Sequence, residues 1–318
     1  MGPRPKARIP RPLLGQLAVV GATTCLGLSY SIIKWPGTSG SVIAWWRLVV
    51  STILWWIVLT VRRKRTGTPF PSAATWRAVI PSALFFGINI SVIFTAVTRT
   101  SVAHTEFINA LTPILLIPLG SLLFRERPQW RALRWGGLSL LGIVIVLAAG
   151  PETGVATLSG DLLMIVAVSA YVSYLLASKK ARAVGVTTMD FMSTMMPMAL
   201  ITATPVALAL SADEFIPSTR ATWAAIAILA VLTGMMAHGL VVYAQRTVPI
   251  ATIGVIQAGQ PAQSTFWAWI FLGETITAFQ VPGMALVIAG SALVVWSSQR
   301  SPVPTTPAVH MGSTSSSP

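Results

Sequence analysis

Ten apolar stretches, each long enough to cross a lipid bilayer, divide the sequence. A bilayer core of about 30 Å needs roughly 20 apolar residues in a helix. The stretches lack the alternation, in segments of about ten residues, that a transmembrane β-barrel shows. We therefore predict an all-α integral membrane protein with ten transmembrane helices. The predicted helices are 13–33, 40–61, 77–97, 102–124, 132–149, 160–178, 191–210, 222–244, 250–272 and 279–297.

The composition points to the same class of protein. Hydrophobic residues make up 54% of the chain and charged residues only 9%, and the mean hydropathy is +0.73. Soluble domains carry roughly 25% charged residues. The net charge of +14 is common among nucleic-acid-binding proteins, but here Lys and Arg occupy the gaps between apolar stretches, so we expect no nucleic-acid partner. The single cysteine, Cys25, leaves the compartment open, because it has no intramolecular partner.

The positions of Lys and Arg predict the orientation. With the N-terminus inside, 18 of the 22 basic residues fall in inner segments, 3 fall in outer connections, and Arg47 lies within a helix. Cytoplasmic loops carry such an excess, so we predict cytoplasmic termini, with the bacterial inner (plasma) membrane as the location. The basic segment 1–12 also resembles the start of a signal peptide, but the apolar stretch after it exceeds the usual 7–15 residues. The Pro/Ser/Thr-rich segment 300–318 is predicted to be a disordered tail.

The sequence contains an internal repeat. A shift of 145 positions aligns Lys34 with Lys179. A shift of 148 positions aligns Asn109 with Gln257, Pro113 with Pro261, Glu126 with Glu274 and Gly142 with Gly290. The chain is therefore predicted to consist of two five-helix halves, 13–150 and 151–299. Because five is odd, the second half would enter the membrane from the opposite side, giving the inverted repeat that is typical of secondary transporters.

Several short motifs carry a resemblance to a known family. They are "CLGLSYSIIK" at 25–34, "WWRLVVS" at 45–51, "GDLL" at 160–163, and a Thr/Gln–Pro…Glu…Gly pattern formed by Thr112, Pro113, Glu126 and Gly137 and again by Gln260, Pro261, Glu274 and Gly283. With them the chain, up to about residue 298, resembles EamA-type transporters of the drug/metabolite transporter superfamily. The resemblance implies a ten-helix carrier with a central cavity, alternating access and, by analogy, outward transport. It does not imply a substrate.

The two matching prolines predict hinges near the middle of the membrane. Proline inside a helix frees the carbonyl four residues earlier; for Pro113 and Pro261 these carbonyls belong to Asn109 and Gln257. Inverted-repeat transporters place their binding sites at such interruptions. The alternative is a kink whose freed groups are satisfied by neighbouring helices.

Glu106 and Arg47 are candidate site residues because charges within a membrane are costly and are functional by default. Both predicted helices enter from the outer side, and the two residues lie at similar depths without charged counterparts in the second half. Shared depth and shared asymmetry make the two residues candidates for a pair, and the sequence leaves open whether they form one. Three interpretations stay open: a polar site that binds a zwitterionic substrate or carries a proton, an ion pair that fixes packing, or a Glu106 side chain that reaches the interface.

Further candidates for the cavity wall are polar residues deep within the predicted transmembrane helices. Gln257, Gln260 and Ser264 form a stripe on the ninth predicted helix, parallel to Glu106 and Asn109 on the fourth. Hydrogen bonds between helices are the alternative role. The remaining candidates are Asn89, Tyr174 and His238, with Tyr171 and Tyr243 as weaker ones. His104 is expected at the interface, and Glu126 and Glu274 are expected to be structural.

These observations favour a secondary transporter that moves a small polar metabolite, amino-acid-like or drug-like, out of the cell. The alternative is an uptake or exchange facilitator without proton coupling. An enzyme is disfavoured because three histidines and few acids offer no metal or nucleophile cluster. A channel is disfavoured because the sequence shows no continuous polar pore and no selectivity motif. We expect no cofactor and no metal; the partners are a small-molecule substrate, the lipid bilayer and possibly protons, with a monomer and a homodimer both open.

Overall fold

The chain is helical in every regular element that the computed structural model describes. That model describes residues 11–124, 130–149, 157–211, 215–249, 253, 256–257 and 260–299, and no strand occurs among them. The helices are α1 (Arg11–Lys34), α2 (Gly40–Thr66), α3 (Ala73–Arg99), α4 (Val102–Asn109), α5 (Leu111–Leu123), α6 (Trp130–Ala149), α7 (Leu158–Ala183), α8 (Thr188–Ser211), α9 (Arg220–Leu229), α10 (His238–Ala244), α11 (Gln260–Leu272) and α12 (Gln280–Gln299), with a π-helical segment at Ala230–Ala237.

Seven helical stretches of the described residues are long and apolar enough to cross a membrane. They are Leu13–Lys34, Gly40–Thr66, Ala73–Arg99, Val102–Leu123, Leu158–Ala183, Thr188–Ser211 and Arg220–Ala244. The predicted helices 132–149, 250–272 and 279–297 correspond to α6, α11 and α12, whose described apolar parts are shorter. The chain is an all-helical, multi-pass integral membrane protein. The predicted segments 1–10 and 300–318 lie outside the described residues.

Several helices extend beyond their predicted ends, because capping and not the loss of apolar character ends them. The second predicted helix spans 40–61, but α2 continues through Arg62–Arg65 to Thr66. Gly67 stops it there with φ of 66°, a left-handed conformation that favours glycine. The next helix, α3, begins at Ala73 because the Ser72 hydroxyl accepts a hydrogen bond from the Thr75 amide.

Two of the predicted continuous helices are interrupted. The fourth predicted helix, 102–124, breaks at Ala110 into α4 and α5, three residues before Pro113. The eighth, 222–244, contains the π-helical segment Ala230–Ala237, which no proline marks. Such wide turns are rare overall, and those that occur often lie at functional sites.

The helices of the two halves pack in a pattern that repeats when the halves are exchanged. Helix α1 packs on α11, and its counterpart α7 packs on α4 and α5. Helix α3 packs on α7 and α8, while the counterpart of α3, formed by α9, the π-helical segment and α10, packs on α1 and α2. The helices α2 and α8, and likewise α6 and α12, pair with their own counterparts. The bundle therefore has approximate two-fold symmetry in its contacts.

One side-chain contact repeats at the sequence offset of 145. The Lys34 ammonium at the end of α1 donates to the Thr100 carbonyl at 3.0 Å, and the Lys179 ammonium near the end of α7 donates to the Gln245 carbonyl at 3.0 Å. The donors and the acceptors are each separated by the offset that aligns the two halves. The repeat found in the sequence is thus a repeat of three-dimensional contacts.

Helices α6 and α12 approach each other closely through small residues. A Cβ atom built on Gly142 would lie 2.5 Å from the Gly283 carbonyl oxygen, so only glycine fits. The Ser139 hydroxyl donates to the Val287 carbonyl at 3.2 Å across the same contact. Close packing through small residues is a usual source of helix association within lipid.

Candidate functional site

A polar cavity lies between the two halves of the chain. The centre of a water molecule can occupy about 50 Å³ of this cavity, which is room for a few water molecules. Twelve of the 18 described lining residues have polar side chains, although the surrounding helices are apolar. The lining residues are Leu26, Ser29, Tyr30, Arg47, Asn89, Ile90, Ile93, Phe94, Glu106, Asn109, Ala110, Thr112, Tyr171, Thr233, His238, Gln257, Gln260 and Pro261.

The wall repeats the internal symmetry of the chain. Leu26 and Tyr171, and likewise Ile93 and His238, are separated by the offset of 145 and both line the cavity. At the offset of 148, Asn109 matches Gln257 and Thr112 matches Gln260, and all four line it. The cavity therefore lies where the two halves face each other.

Glu106 is the one acid among the described lining residues. It projects from the middle of α4, and its side chain is fully buried. Gln260 of α11 donates its Nε2 to the Glu106 Oε1 at 3.0 Å, and the Ser264 hydroxyl contacts the same oxygen at 2.5 Å. Both partners belong to the second half, so the acid of one half is held by the polar stripe of the other. Of the three interpretations left open by the sequence, the one in which the Glu106 side chain reaches the interface is wrong, because the side chain is buried.

The Ser264 hydroxyl has two acceptors within reach. It lies 2.5 Å from Glu106 Oε1 and 3.1 Å from the Gln260 carbonyl. Against an ionised Glu106 it donates to the carboxylate, whereas against a protonated Glu106 it accepts from the carboxyl and donates to the carbonyl. A hydroxyl can both donate and accept. The site therefore keeps its hydrogen bonds in both protonation states of Glu106.

Arg47 occupies another part of the wall and is also fully buried. Its Nη1 donates to the Thr233 hydroxyl at 2.7 Å, and the guanidinium carbon lies 5.2 Å from the centre of the Phe94 ring. The ion pair considered for Arg47 and Glu106 does not form: each has its own neutral partners, the described ion pair is Lys34–Glu274, and the His104 ring contacts Asp161. The π-helical segment that carries Thr233 draws Arg47 toward the second half.

Arg47 is the first of three residues on α2 that bind the π-helical segment. Ser51 donates to the Ala230 carbonyl at 3.3 Å, and the Trp55 indole donates to the Gly234 carbonyl at 2.9 Å. The three residues recur every fourth position, so they lie on one face of α2. One face of α2 thus donates to carbonyls of the π-helical segment.

The amide candidates bind across the helices around the cavity. Gln257 donates to the Tyr171 hydroxyl at 2.9 Å, and Asn89 donates to the Ala167 carbonyl at 2.8 Å, which ties α3 to α7. Asn109 lines the cavity at the end of α4, beside the break at Ala110. Pro261 lines the cavity at the start of α11, and Pro113 lies at the start of α5.

Two aromatic candidates differ in their positions. His238 lines the cavity, with its ring edge-on to Phe86 at 4.7 Å. Tyr174 does not line it: the ring packs 5.0 Å from Phe86 and 5.9 Å from Tyr171, behind the wall. The prediction of Tyr174 as a cavity residue is therefore wrong, because Tyr171, one turn earlier on α7, takes the inner position. Tyr243 is partly exposed.

A polar cluster lies at the ends of α1, α3 and α11, above the start of α4. Glu274 accepts from Lys34 at 2.5 Å and from the Val102 amide at 3.0 Å, which caps α4. His104 was expected at the interface; it is buried, and its Nδ1 lies 3.1 Å from Asp161. Glu126, the sequence counterpart of Glu274, lies outside the described residues.

Sequence reasoning missed several lining residues. Tyr30, Ser29 and Thr233 were not singled out, and Thr112 was noted only as part of a motif. Hydroxyl residues are common in membrane helices, and depth alone does not distinguish a lining one from one bonded to its own helix. For Thr233 the sequence held one signal on another helix. Arg47, Ser51 and Trp55, which bind the π-helical segment that carries Thr233, recur every fourth residue.

Comparison with known proteins agrees with this architecture. The sequence matches the EamA-like transporter family twice, over residues 13–148 and 158–296. The chain belongs to the EamA-like transporter family. The two matches correspond to the two halves, so each half is one EamA unit, and the protein is a membrane transporter of the drug/metabolite transporter superfamily.

The fold also has solved counterparts. A solved structure described only as "Crystal structure of protein" matches 91% of this chain and 98% of its own, with 19% identity and a TM-score of 0.61. At that identity the likeness shows the fold alone. No curated protein matches the sequence.

Proposed function

We propose that this EamA-family protein is a secondary transporter that exports a small, polar, amino-acid-like metabolite by alternating access. The observation that carries the proposal is Glu106, a fully buried acid in a cavity walled by both halves, whose described side-chain hydrogen bonds go to residues of the opposite half. A rocking motion of one half against the other would change the surroundings of this acid directly. Inverted-repeat transporters place their substrate sites at such an interface.

The proposed architecture is ten transmembrane helices in two inverted five-helix units, about 13–150 and 151–299. Three features support it: the offsets in sequence, the exchange of packing partners between halves, and the repeated lysine contact. An odd number of helices per unit reverses the second unit. The excess of Lys and Arg in the inner connections supports cytoplasmic termini, in the inner membrane of a bacterium.

Proton exchange is part of the proposal. Ser264 can satisfy Glu106 with and without a proton, which is what a group that alternately binds a proton and a substrate requires. The alternative, a facilitator without proton coupling, predicts transport that is indifferent to a pH gradient. An enzyme has less support, because the described residues contain no group of three or more His, Cys, Asp or Glu that could hold a metal.

The test is a comparison of metabolites in cells and in their medium. Cells producing wild type, Glu106→Gln and Asp190→Asn at equal membrane levels are compared by mass spectrometry. Asp190 is the matched control, an acid at the start of α8 outside the cavity wall. We expect wild type and Asp190→Asn to export one class of compound, and Glu106→Gln to lose about tenfold or more, the equivalent of about 1.4 kcal/mol. Equal export by all three variants would contradict the proposal.

A further inference from the structure

The guanidinium of Arg47 is only partly bonded within the protein. Its Nη1 is paired with the Thr233 hydroxyl, but Nε and Nη2 are buried and have no acceptor among the described residues. The side chain is fully buried, and it lines the cavity. A cation that is buried without an anion is costly. Its retention in a cavity wall points to a charge that comes from outside the protein.

The two unpaired nitrogens lie on the same edge of the guanidinium. The N–H bonds of Nε and Nη2 run parallel, and they match the two oxygens of a carboxylate. Because Thr233 holds Nη1 on another side, the rotation of the guanidinium is fixed, and both N–H bonds of this edge are left without a partner among the described residues. His238 lines the same cavity, and its Nδ1 also has no partner among the described residues.

We propose that Arg47 is the docking site for a carboxylate group of the transported compound. This assignment rests on the proposed transport function and specifies its substrate class. A small amino acid or amino-acid-like acid would place its carboxylate on Arg47, while its ammonium group would share the cavity with Glu106. The two charges of the wall are then neutralised by the substrate and not by each other.

A carboxylate fits better than a phosphate. The described wall offers a single guanidinium edge, so it supplies two N–H bonds and one positive charge. A phosphate carries up to two negative charges, and Glu106 in the same wall would repel the second. Arginine paired with a carboxylate through two parallel bonds needs no further cation.

The experiment uses the purified full chain in lipid nanodiscs and follows its thermal unfolding. Sodium acetate is the probe, because it is the carboxylate alone and fits a small cavity. Acetamide, of nearly the same shape but neutral, and sodium chloride at equal ionic strength are the comparison solutes. The variants are Arg47→Gln, Arg47→Lys and Arg182→Gln. Arg182 is the matched control, a buried arginine on α7 that does not line the cavity.

Wild type and Arg182→Gln are expected to show a saturable rise in melting temperature with acetate and none with acetamide or chloride. Arg47→Gln should show no response, and Arg47→Lys a weaker one, because an ammonium lacks the two parallel N–H bonds. If Arg47→Gln does not fold, Arg47→Lys against wild type decides the comparison.

An equal response of Arg47→Gln and wild type, an equal response to acetate and acetamide, or no response of wild type would each overturn the carboxylate site. This result is separate from the export test. Export that depends on Glu106 without an acetate response at Arg47 would leave the transporter standing and remove only the substrate class. An acetate response at Arg47 without export would leave the carboxylate site standing and contradict the proposed export.

Discussion

Glu106 and Arg47 show how two opposite charges can share a membrane cavity without neutralising each other. Each is held by neutral hydrogen-bond partners, Gln260 and Ser264 for the acid and Thr233 for the base. Those partners come from the second half of the chain, whereas both charges come from the first. This arrangement supports the proposal that both charges bind a ligand, because a direct ion pair would neutralise them.

At Ser264 the account predicts a change in proton coupling. Ser264→Ala removes the hydroxyl that satisfies Glu106 in both protonation states, and a hydrogen bond to a charged group is worth about 1.5–3 kcal/mol. We expect export to fall about tenfold or more and to respond less to collapse of the pH gradient by nigericin. Ser264→Thr, which keeps the hydroxyl, is the control and should retain both properties.

The measurement is the initial export rate of the identified compound, with and without nigericin. If Ser264→Ala exports like wild type and is equally sensitive to nigericin, the hydroxyl has no part in handling a proton. If wild type itself ignores the gradient, the facilitator without proton coupling is the better description.

Sequence reasoning located most of the polar candidates but not their partners. Depth within a helix and the matching prolines led to Glu106, Asn109, Gln257 and Gln260, which line the cavity. The same reasoning paired Glu106 with Arg47 because it compares depth alone. The direction in which a side chain points depends on the rotation of each helix, and packing against neighbours sets that rotation.

At the level of helices, both interruptions border the cavity. The break at Ala110 ends α4 just beyond Glu106 and Asn109, and the π-helical segment presents Thr233 to Arg47. Pro113 predicted a kink close to the first interruption, within a helix that was predicted to be continuous. The second has no proline, and its signal lies on another helix, in the donors that α2 presents every fourth residue. Interruptions that depend on partners across the bundle are not visible in local sequence.

The cluster at the start of α4 predicts a gate on the outer side. Glu274 joins the end of α1 to the start of α4 through Lys34 and the Val102 amide, and Glu106 follows Val102 by about one turn. With the proposed cytoplasmic termini, the start of α4 is on the outer side of Glu106, so this cluster would close the cavity toward the outside. Glu274→Gln removes the ion pair and is expected to favour the state open to the outside.

The opening is measured with a thiol label. Cys25, the single cysteine, is replaced by serine, and Asn109→Cys in the cavity wall is labelled from outside by a membrane-impermeant reagent. We expect labelling to be about three- to tenfold faster with Glu274→Gln, since a partly exposed ion pair contributes about 1 kcal/mol. Asp190→Asn is the control and should leave the rate unchanged. Unchanged labelling with Glu274→Gln would show that the cluster is only a cap for α4.

For the whole molecule, duplication is the property that sequence predicted best. Matching residues at offsets of 145 and 148 indicated two halves, and the family matches over 13–148 and 158–296 coincide with them. The repeated lysine contact shows why the pattern survives in sequence: Lys34 and Lys179 each bind a carbonyl 66 positions later. At matched positions of the cavity wall the two halves differ in chemistry, with Ile93 opposite His238 and Leu26 opposite Tyr171, which agrees with the proposal that the cavity binds an asymmetric ligand.

The central claim is that the chain carries a substrate through the Glu106 cavity by alternating access. Counterflow in proteoliposomes preloaded with the exported compound tests it most directly. The account predicts that wild type accumulates labelled compound transiently and with saturation, and that Glu106→Gln, reconstituted to the same level, does so about tenfold more slowly or less. Flux that rises linearly with concentration without counterflow would indicate a channel, and equal counterflow by both proteins would remove Glu106 from the transport path.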